Sequence, residues 1–178
     1  SNEIANYGLA LKNGFKNAKN DLIISFDIDY FSQEFLDQSL KLNDEFAAIV
    51  ASKRMSDSED KRTIVRKLAT STFVFILKIL FQTSLSDTHG MKAIRRVNIE
   101  KEIDNVISTQ DIFDTELLIR IEKSGFKIQE VPTKVNEMRP SVSVIFKRIP
   151  RTLKSLLKLR YQLFLSLIHI SEPTRLTC

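Results

Sequence analysis

The sequence has almost no cysteine: among its 178 residues the one cysteine is Cys178, at the very end. A single cysteine excludes a disulfide framework and fits a reducing compartment. Long apolar runs are also missing. The richest run, residues 73–81, contains Lys78 and is far shorter than the about 20 apolar residues that a membrane-spanning helix needs. The first residues show no signal-peptide pattern, and length and composition suit one domain with a buried core.

Acidic residues are absent between Glu137 and Glu172, although the net charge of the whole chain is only +5. Apolar residues at helical spacing within this stretch predict an amphipathic helix that begins near Arg151. Such a helix can lie in the interface of an anionic membrane, or it can pack on its own domain. We favour the membrane interface as the location of this helix, because the stretch has no acids and many basic residues. These are Lys147, Arg148, Arg151, Lys154, Lys158 and Arg160.

Helix and strand patterns alternate at the start of the chain. Residues 4–18 have the periodicity of an amphipathic helix, and residues 22–26 that of a strand buried on both faces. A helix over residues 33–42, with Ser32 as N-cap, and a second buried strand over 46–51 follow. This order predicts an α/β fold with a doubly wound parallel sheet, in which the first strand is central. We expect the chain to start inside that fold.

Two carboxylates, Asp27 and Asp29, follow the first strand directly. Open α/β sheets bind ligands beyond the carboxyl ends of their strands, and two acids this close repel each other unless a cation lies between them. The pair therefore predicts a site for a divalent cation and the phosphates that it carries. An ordinary turn rich in acids is the alternative.

Basic and polar residues follow the later elements. Lys53 and Arg54 come after the second strand and suit a phosphate-bearing ligand or a solvated loop. Asp87 and His89 lie in a turn that precedes a short strand, where they could orient a substrate or a metal-bound water. A lone histidine in a turn is more often a bystander, which is the alternative for His89. Before this turn, residues 61–82 predict a helix. We expect its core face to comprise Val65, Leu68, Ala69, Thr72, Ile76, Ile79 and Leu80.

A further helix is predicted from residue 112 to a glycine cap at Gly125. Asp114 and Glu116 lie near its first turn, where acids favour the helix dipole whatever other role they have. The strand that follows ends at Pro132, which favours an edge position in the sheet.

Taken in order, these motifs make the chain similar to the family 2 glycosyltransferases, and within them to the polyprenyl-phosphate sugar synthases. The resemblance runs from about residue 8 to 164. It rests on the acid pair, Ser52-Lys53-Arg54, Arg66, Ser86-Asp87-Thr88-His89-Gly90, Phe113-Asp114-Thr115-Glu116-Leu117 and Glu130-Val131-Pro132. It implies a GT-A fold, with its first nucleotide-binding units outside these residues, so we expect the fragment alone to be inactive.

The resemblance also implies roles for particular residues. Asp29 would ligate Mg²⁺ or Mn²⁺, and Asp27 would contact the metal or the nucleotide-sugar. Arg54 and Arg66 would lie near the donor or acceptor phosphates. Arg139 matches a later arginine of the same branch, although Pro140 and the residues after it depart from the family pattern. Phe31 stands where many relatives carry a metal-binding glutamine.

The implied reaction is inverting transfer of mannose or glucose from a nucleotide-sugar, such as GDP-mannose or UDP-glucose, to a polyprenyl phosphate. A lipid phosphate needs no strong base, whereas a hydroxyl acceptor would need Asp87, Asp114 or Glu116 as one. The expected location is the cytoplasmic face of a membrane, peripheral or anchored by a further C-terminal segment, without nucleic acid as partner.

Two other functions remain as alternatives. Phosphatases also place Asp-x-Asp after a buried strand, but they continue with a threonine where this chain has Phe31. A basic membrane- or nucleic-acid-binding module would explain the basic helix but not the acid pair, and the aromatic and basic interleaving typical of single-strand binding is missing.

The end of the chain resembles a translated sequencing adapter over residues 165–178, and these residues are left out of the functional interpretation. We therefore expect three regions: a partial glycosyltransferase domain (1–143), a basic amphipathic helix near the membrane (144–164) and a tail that is not native (165–178).

Overall fold

The computed structural model describes residues 6–26, 31–55, 58, 63–110, 112–134 and 143–170, and in the last helix the side chains of residues 149–165. Helices and strands alternate along the chain, which confirms the α/β class. In chain order the elements are α1 (Tyr7–Asn17), β1 (Leu22–Ser25), α2 (Gln33–Leu40), β2 (Phe46–Ser52), α3 (Ile64–Phe81), β3 (Lys92–Arg95), α4 (Arg96–Asn105), α5 (Phe113–Lys123), β4 (Lys127–Pro132) and α6 (Ser143–Ile170).

The four strands form one mixed sheet in the order β1-β3-β2-β4. Strand β3 is antiparallel to both β1 and β2, and β4 is parallel to β2. The prediction of a parallel sheet is thus wrong for β3. This strand lies between β1 and β2, which the order along the chain suggested as neighbours. Because β1, β2 and β4 run in one direction, their carboxyl ends share one edge of the sheet. We call this edge the carboxyl rim.

Strand β1 lies at one end of this sheet, and its residues are half-buried. The prediction of a central strand buried on both faces is therefore wrong within the part of the chain that the structure describes. An unbroken apolar run such as residues 22–24 cannot by itself tell an end strand from a central one. Strand β4 lies at the other end, where Pro132 at its exposed terminus was expected.

Helices cover both faces of the sheet. On one face α1, α4 and α5 pack on the apolar side chains of β2 and β3, among them Ala48 and Ile94, with Phe113 and Leu117 fully buried. On the other face α2 packs through Phe35 on Ile49. The N-cap predicted for α2 is confirmed, since the Ser32 hydroxyl accepts a hydrogen bond from the backbone N–H of Phe35 at 3.2 Å.

Gly8 lets α1 approach the segment before α5 closely. Its backbone N–H donates to the carbonyl of Thr109 at 3.0 Å, and a Cβ atom at this position would lie 2.6 Å from the carbonyl carbon of Thr109. A side chain there would push α1 away from the core. The buried position of Gly8 on the inner face of α1 agrees with the prediction.

The predicted core face of α3 is only partly correct: Ile76 and Leu80 pack against the core as expected, but other predicted members do not. Val65, Leu68 and Ile79 are exposed, whereas the fully buried side chains of this helix are Val74, Leu77 and Phe81. The helix is apolar nearly all round, so periodicity could not select the face that contacts the core. An apolar surface formed by Ile64, Val65, Leu68, Phe75 and Ile79 is left uncovered by the described residues.

Helix α6 is longer than predicted, because it begins at Ser143 rather than near Arg151 and continues to Ile170, past the expected end at residue 164. Leu156 and Leu159 are buried against Leu77 and Phe81 of α3. In the described part of the chain no helix is long and apolar enough to cross a membrane.

Candidate functional site

The carboxyl rim collects several of the residues that the sequence singled out, among them Arg54, Asp87 and Asp114. Strand β1 ends at Ser25 and leads through Phe26 towards Asp27 and Asp29, which lie outside the described residues. Arg139 lies outside them too. Among the residues that are described, no group of three or more acidic, histidine or cysteine side chains could hold a metal ion. The metal ligands predicted from the sequence, Asp27 and Asp29, stay a prediction.

The loop after β2 reaches the same rim, as the sequence predicted for Lys53 and Arg54. The Lys53 ammonium donates to the carbonyl of His89 at 3.1 Å, and Arg54 Nη1 donates to Ser71 Oγ of α3 at 2.6 Å. Arg66 is half-buried on the same helix, five residues before Ser71. Both predicted phosphate-binding arginines are thus associated with α3.

Asp87 is 4% exposed, and both of its carboxylate oxygens accept backbone hydrogen bonds. Oδ1 accepts from the N–H of His89 at 2.9 Å, and Oδ2 from the N–H of Lys53 at 3.3 Å. The side chain therefore joins the loop after β2 to the turn before β3. The ring of His89 contacts that of Phe73 at a centroid distance of 5.4 Å.

Glu130 fixes this turn from the other side. Its Oε1 accepts hydrogen bonds from the N–H and hydroxyl of Ser86 and from the N–H of Asp87, all between 2.9 and 3.0 Å. The sequence interpretation gave Glu130 no role. The sequence does contain a signal for Glu130. If β4 is expected to pair in parallel with β2, a carboxylate near the end of β4 must lie at the carboxyl rim.

Asp114 lies at the start of α5 and is 4% exposed. Its Oδ1 lies 3.0 Å from the Lys92 ammonium, and its Oδ2 accepts a hydrogen bond from the Tyr7 hydroxyl at 3.1 Å. The next residue, Thr115, exchanges a hydrogen bond of 2.8 Å with Thr88 of the turn that also carries Asp87. The structure therefore brings Asp87 and Asp114 onto connected elements.

Glu116 is fully buried, and its carboxylate is saturated with donors. Oε1 accepts from the N–H of Ile107 at 3.1 Å and from Arg120 Nε at 2.8 Å, while Oε2 accepts from the N–H of Ser108 at 2.9 Å. These contacts hold the segment between α4 and α5. The sequence alone could not show that Asp114 and Glu116 have different partners, because both are acids in the first turn of the same helix.

A cleft of about 200 Å³ opens between the start of α2 and the segment after β4. Phe31 at its edge is 59% exposed and contacts Phe26. The polar lining comprises Ser32, Glu34, Gln38, Thr133 and Lys134. The cleft lies at the carboxyl rim, next in the chain to the acid pair.

The chain is similar to known glycosyltransferases, although no family model matches it. It is 28% identical over 130 residues to glycosyltransferase AglD of Haloferax volcanii, in a match that covers 70% of this chain and 21% of AglD. The chain thus spans about a fifth of that relative.

A solved structure has a similar fold. Glucosyl-3-phosphoglycerate synthase from Mycobacterium tuberculosis, in complex with uridine diphosphate, matches with a TM-score of 0.59 and 16% identity, covering 86% of this chain and 54% of that chain. The match confirms the expected GT-A-type architecture.

Proposed function

We propose that the chain carries the rim of a glycosyltransferase that uses a nucleotide-sugar donor. The observation that carries this proposal is the convergence at one edge of a GT-A-type sheet: β1 ends there, shortly before the acid pair in the sequence, and the Arg54 loop and Asp114 reach the same edge. Similarity to AglD and to a synthase that was solved with uridine diphosphate supports a nucleoside diphosphate as the leaving group. The proposed donors are GDP-mannose and UDP-glucose.

The residues of the acid pair have the chemistry that Mg²⁺ or Mn²⁺ requires, since hard divalent cations prefer carboxylate oxygens. Asp27 and Asp29 would hold the ion, with Asp29 as the direct ligand, and water would complete the shell where Phe31 replaces a polar side chain. A bound ion would offset the negative charge that develops on the leaving diphosphate.

Phosphate binding and proton transfer are assigned to side chains of this chain. The proposed transfer is inverting: an acceptor oxygen forms a bond to the anomeric carbon while the bond from that carbon to the diphosphate oxygen breaks. Arg54 and Arg66 bind phosphate oxygens, because a guanidinium presents paired donors to them. A lipid phosphate that arrives as the dianion has no proton to lose, whereas a phosphate monoanion or a hydroxyl acceptor transfers its proton to a carboxylate.

Asp114 is the best placed of the three candidate bases. Asp87 and Glu116 each use both carboxylate oxygens for backbone N–H groups, and withdrawing them would leave buried donors unpaired. We therefore assign positioning roles to Asp87 and Glu116, and proton acceptance to Asp114 when the acceptor is a hydroxyl or a protonated phosphate oxygen.

Replacing Arg54 with alanine should weaken binding of the phosphate-bearing substrate. Hydrogen bonds to charged groups contribute about 1.5–3 kcal/mol, so we expect KM to rise about tenfold or more. Steady-state assays of the longer protein that the sequence leads us to expect, called the uninterrupted gene product below, measure it. Lys67→Ala, which removes an exposed cation of α3, is the control and should leave KM unchanged. An equal KM in both variants would contradict the phosphate role of Arg54.

We further propose a lipid phosphate as acceptor, on an anionic membrane surface. Leu153, Leu157 and Phe164 of α6 are exposed beside Lys154 and Lys158, and α3 adds the uncovered apolar surface described above. Apolar and basic side chains exposed together are what interfacial helices present to anionic head groups. The same observation favours the second candidate function, a membrane-binding module without catalysis.

The chain should bind vesicles that contain phosphatidylserine and bind vesicles of phosphatidylcholine much less. Each basic side chain near an anionic surface contributes about 1 kcal/mol, so Lys154→Glu with Lys158→Glu should reduce binding at least about tenfold in co-sedimentation. The matched control reverses Lys101 and Lys123, which are exposed on α4 and α5. Equal losses in both double variants would show that net charge alone attracts the chain, and binding without sugar transfer would favour the non-enzymatic module.

A further inference from the structure

Lys92 is a buried cation to which the proposed function assigns no task. It is the first residue of β3 and pairs across the sheet with Ser25, the last residue of β1, and with Val50 of β2. Its exposure is 2%. The ammonium group is thus enclosed at the carboxyl rim, next to the last residue of β1.

The ammonium of Lys92 contacts two oxygens. It donates to the carbonyl of Gly90 at 2.8 Å and lies 3.0 Å from Oδ1 of Asp114. With the Tyr7 hydroxyl on Oδ2, the carboxylate of Asp114 is held between β3 and α1. Oδ1 is buried and, apart from this ion pair with Lys92, makes no hydrogen bond with any described residue.

Stability alone does not account for a lysine at this place. Ile94, two residues along β3 and on the same face, belongs to the apolar cluster under α5, and an apolar residue at position 92 would extend that cluster. Burying an ammonium and a carboxylate costs several kcal/mol in desolvation, which their attraction at best offsets. The pair therefore contributes placement of a charge rather than net stability.

The backbone carbonyl of Gly90, which accepts a hydrogen bond from Lys92, lies in a tightly packed turn. Gly90 packs so closely on β2 that a Cβ atom there would lie 2.5 Å from the carbonyl oxygen of Ala51. The turn before β3 is also tied to α5 by the hydrogen bond between Thr88 and Thr115. The contact between Thr88 and Thr115 thus holds helix α5 in place, whereas Lys92 contacts the carboxylate of Asp114 itself.

We infer that Lys92 is a positioning residue for sugar transfer, which fixes the orientation of the Asp114 carboxylate at the carboxyl rim. The inference rests on the proposed function and deepens it. It makes Asp114 and Lys92 one functional unit, with a hydroxyl or a protonated phosphate oxygen as the acceptor group whose proton the carboxylate would take.

The test is a double-mutant cycle on the uninterrupted gene product. Lys92→Met should lower kcat at least about tenfold with the KM of the donor within about twofold, since positioned proton acceptors contribute about a hundredfold or more. Lys92→Arg, which keeps the charge, should recover part of kcat. In the Asp114→Asn background Lys92→Met should have no further effect, because the two residues act together.

The matched control is Thr115→Val, which removes the neighbouring contact and leaves the carboxylate untouched. It should keep kcat within about threefold, and the melting temperature of each variant reports the fold. A multiplicative loss in the double variant, or an unchanged kcat in Lys92→Met or Asp114→Asn, overturns the positioning role alone. Absence of transfer in the parent protein defeats the proposed function itself.

Discussion

Replacing Asp29 with alanine is expected to abolish metal-dependent sugar transfer and to leave the fold intact. A metal ion that polarises a phosphoryl oxygen contributes several kcal/mol, and each 1.4 kcal/mol corresponds to about a tenfold change in rate. We therefore expect turnover to fall at least about a hundredfold. Product formation by the uninterrupted gene product at saturating Mn²⁺ measures it, and calorimetric titration with Mn²⁺ alone should show the loss of ion binding.

Asp37→Ala is the control for this experiment. Asp37 is an exposed acid on α2 whose hydrogen bond with Gln33 is local to that helix. It should keep both turnover and Mn²⁺ binding. If Asp29→Ala retained the parent's turnover, the metal role of the acid pair would be wrong, whatever the similarity to other glycosyltransferases.

Replacing Glu116 with alanine should strongly destabilise the protein. The change leaves the Arg120 guanidinium and the N–H groups of Ile107 and Ser108 without their carboxylate. Removing one partner of a buried ion pair costs about 3–5 kcal/mol. The free energy of unfolding, measured by urea denaturation of the chain, should fall by that amount.

Glu100→Ala provides the comparison, because Glu100 forms an exposed pair with Arg96 at 3.6 Å. Exposed pairs contribute about 0–1 kcal/mol, so this variant should unfold close to the parent. A Glu116 variant as stable as the parent, combined with a large loss of turnover, would instead support Glu116 as the base.

Local elements could be predicted from the sequence because each has its own signal. Ser32 caps α2 as expected, Gly125 follows α5 with a φ of 86°, and the strands at 22–25 and 46–52 lie where the apolar runs are. The placement of β3 between β1 and β2 could not be predicted, since its direction depends on pairing between distant segments. The face of α3 that packs against the core could not be predicted fully, because this helix has apolar side chains on nearly all of its sides.

The candidate site shows the same division. The sequence correctly associated the Arg54 loop with the edge that follows β1, because strands that run in one direction end together. It could not separate Asp114 from Glu116, nor assign a role to Lys92 or to Glu130, which it named only within a family motif. Lys92 and Glu130 contact partners that are distant in the chain. Glu116 has nearby partners, but the sequence does not show that it is buried. Burial and hydrogen bonding, which only the fold determines, distinguish these residues.

The central claim is that this rim transfers a sugar from a nucleoside diphosphate. Its most direct test is mass spectrometry of the products formed by the uninterrupted gene product from GDP-mannose or UDP-glucose, a polyprenyl phosphate and Mg²⁺ or Mn²⁺. We predict a hexosyl-phosphate lipid together with free GDP or UDP. Recovery of all donors and of the lipid unchanged, from a protein shown to be folded, would contradict the proposed function.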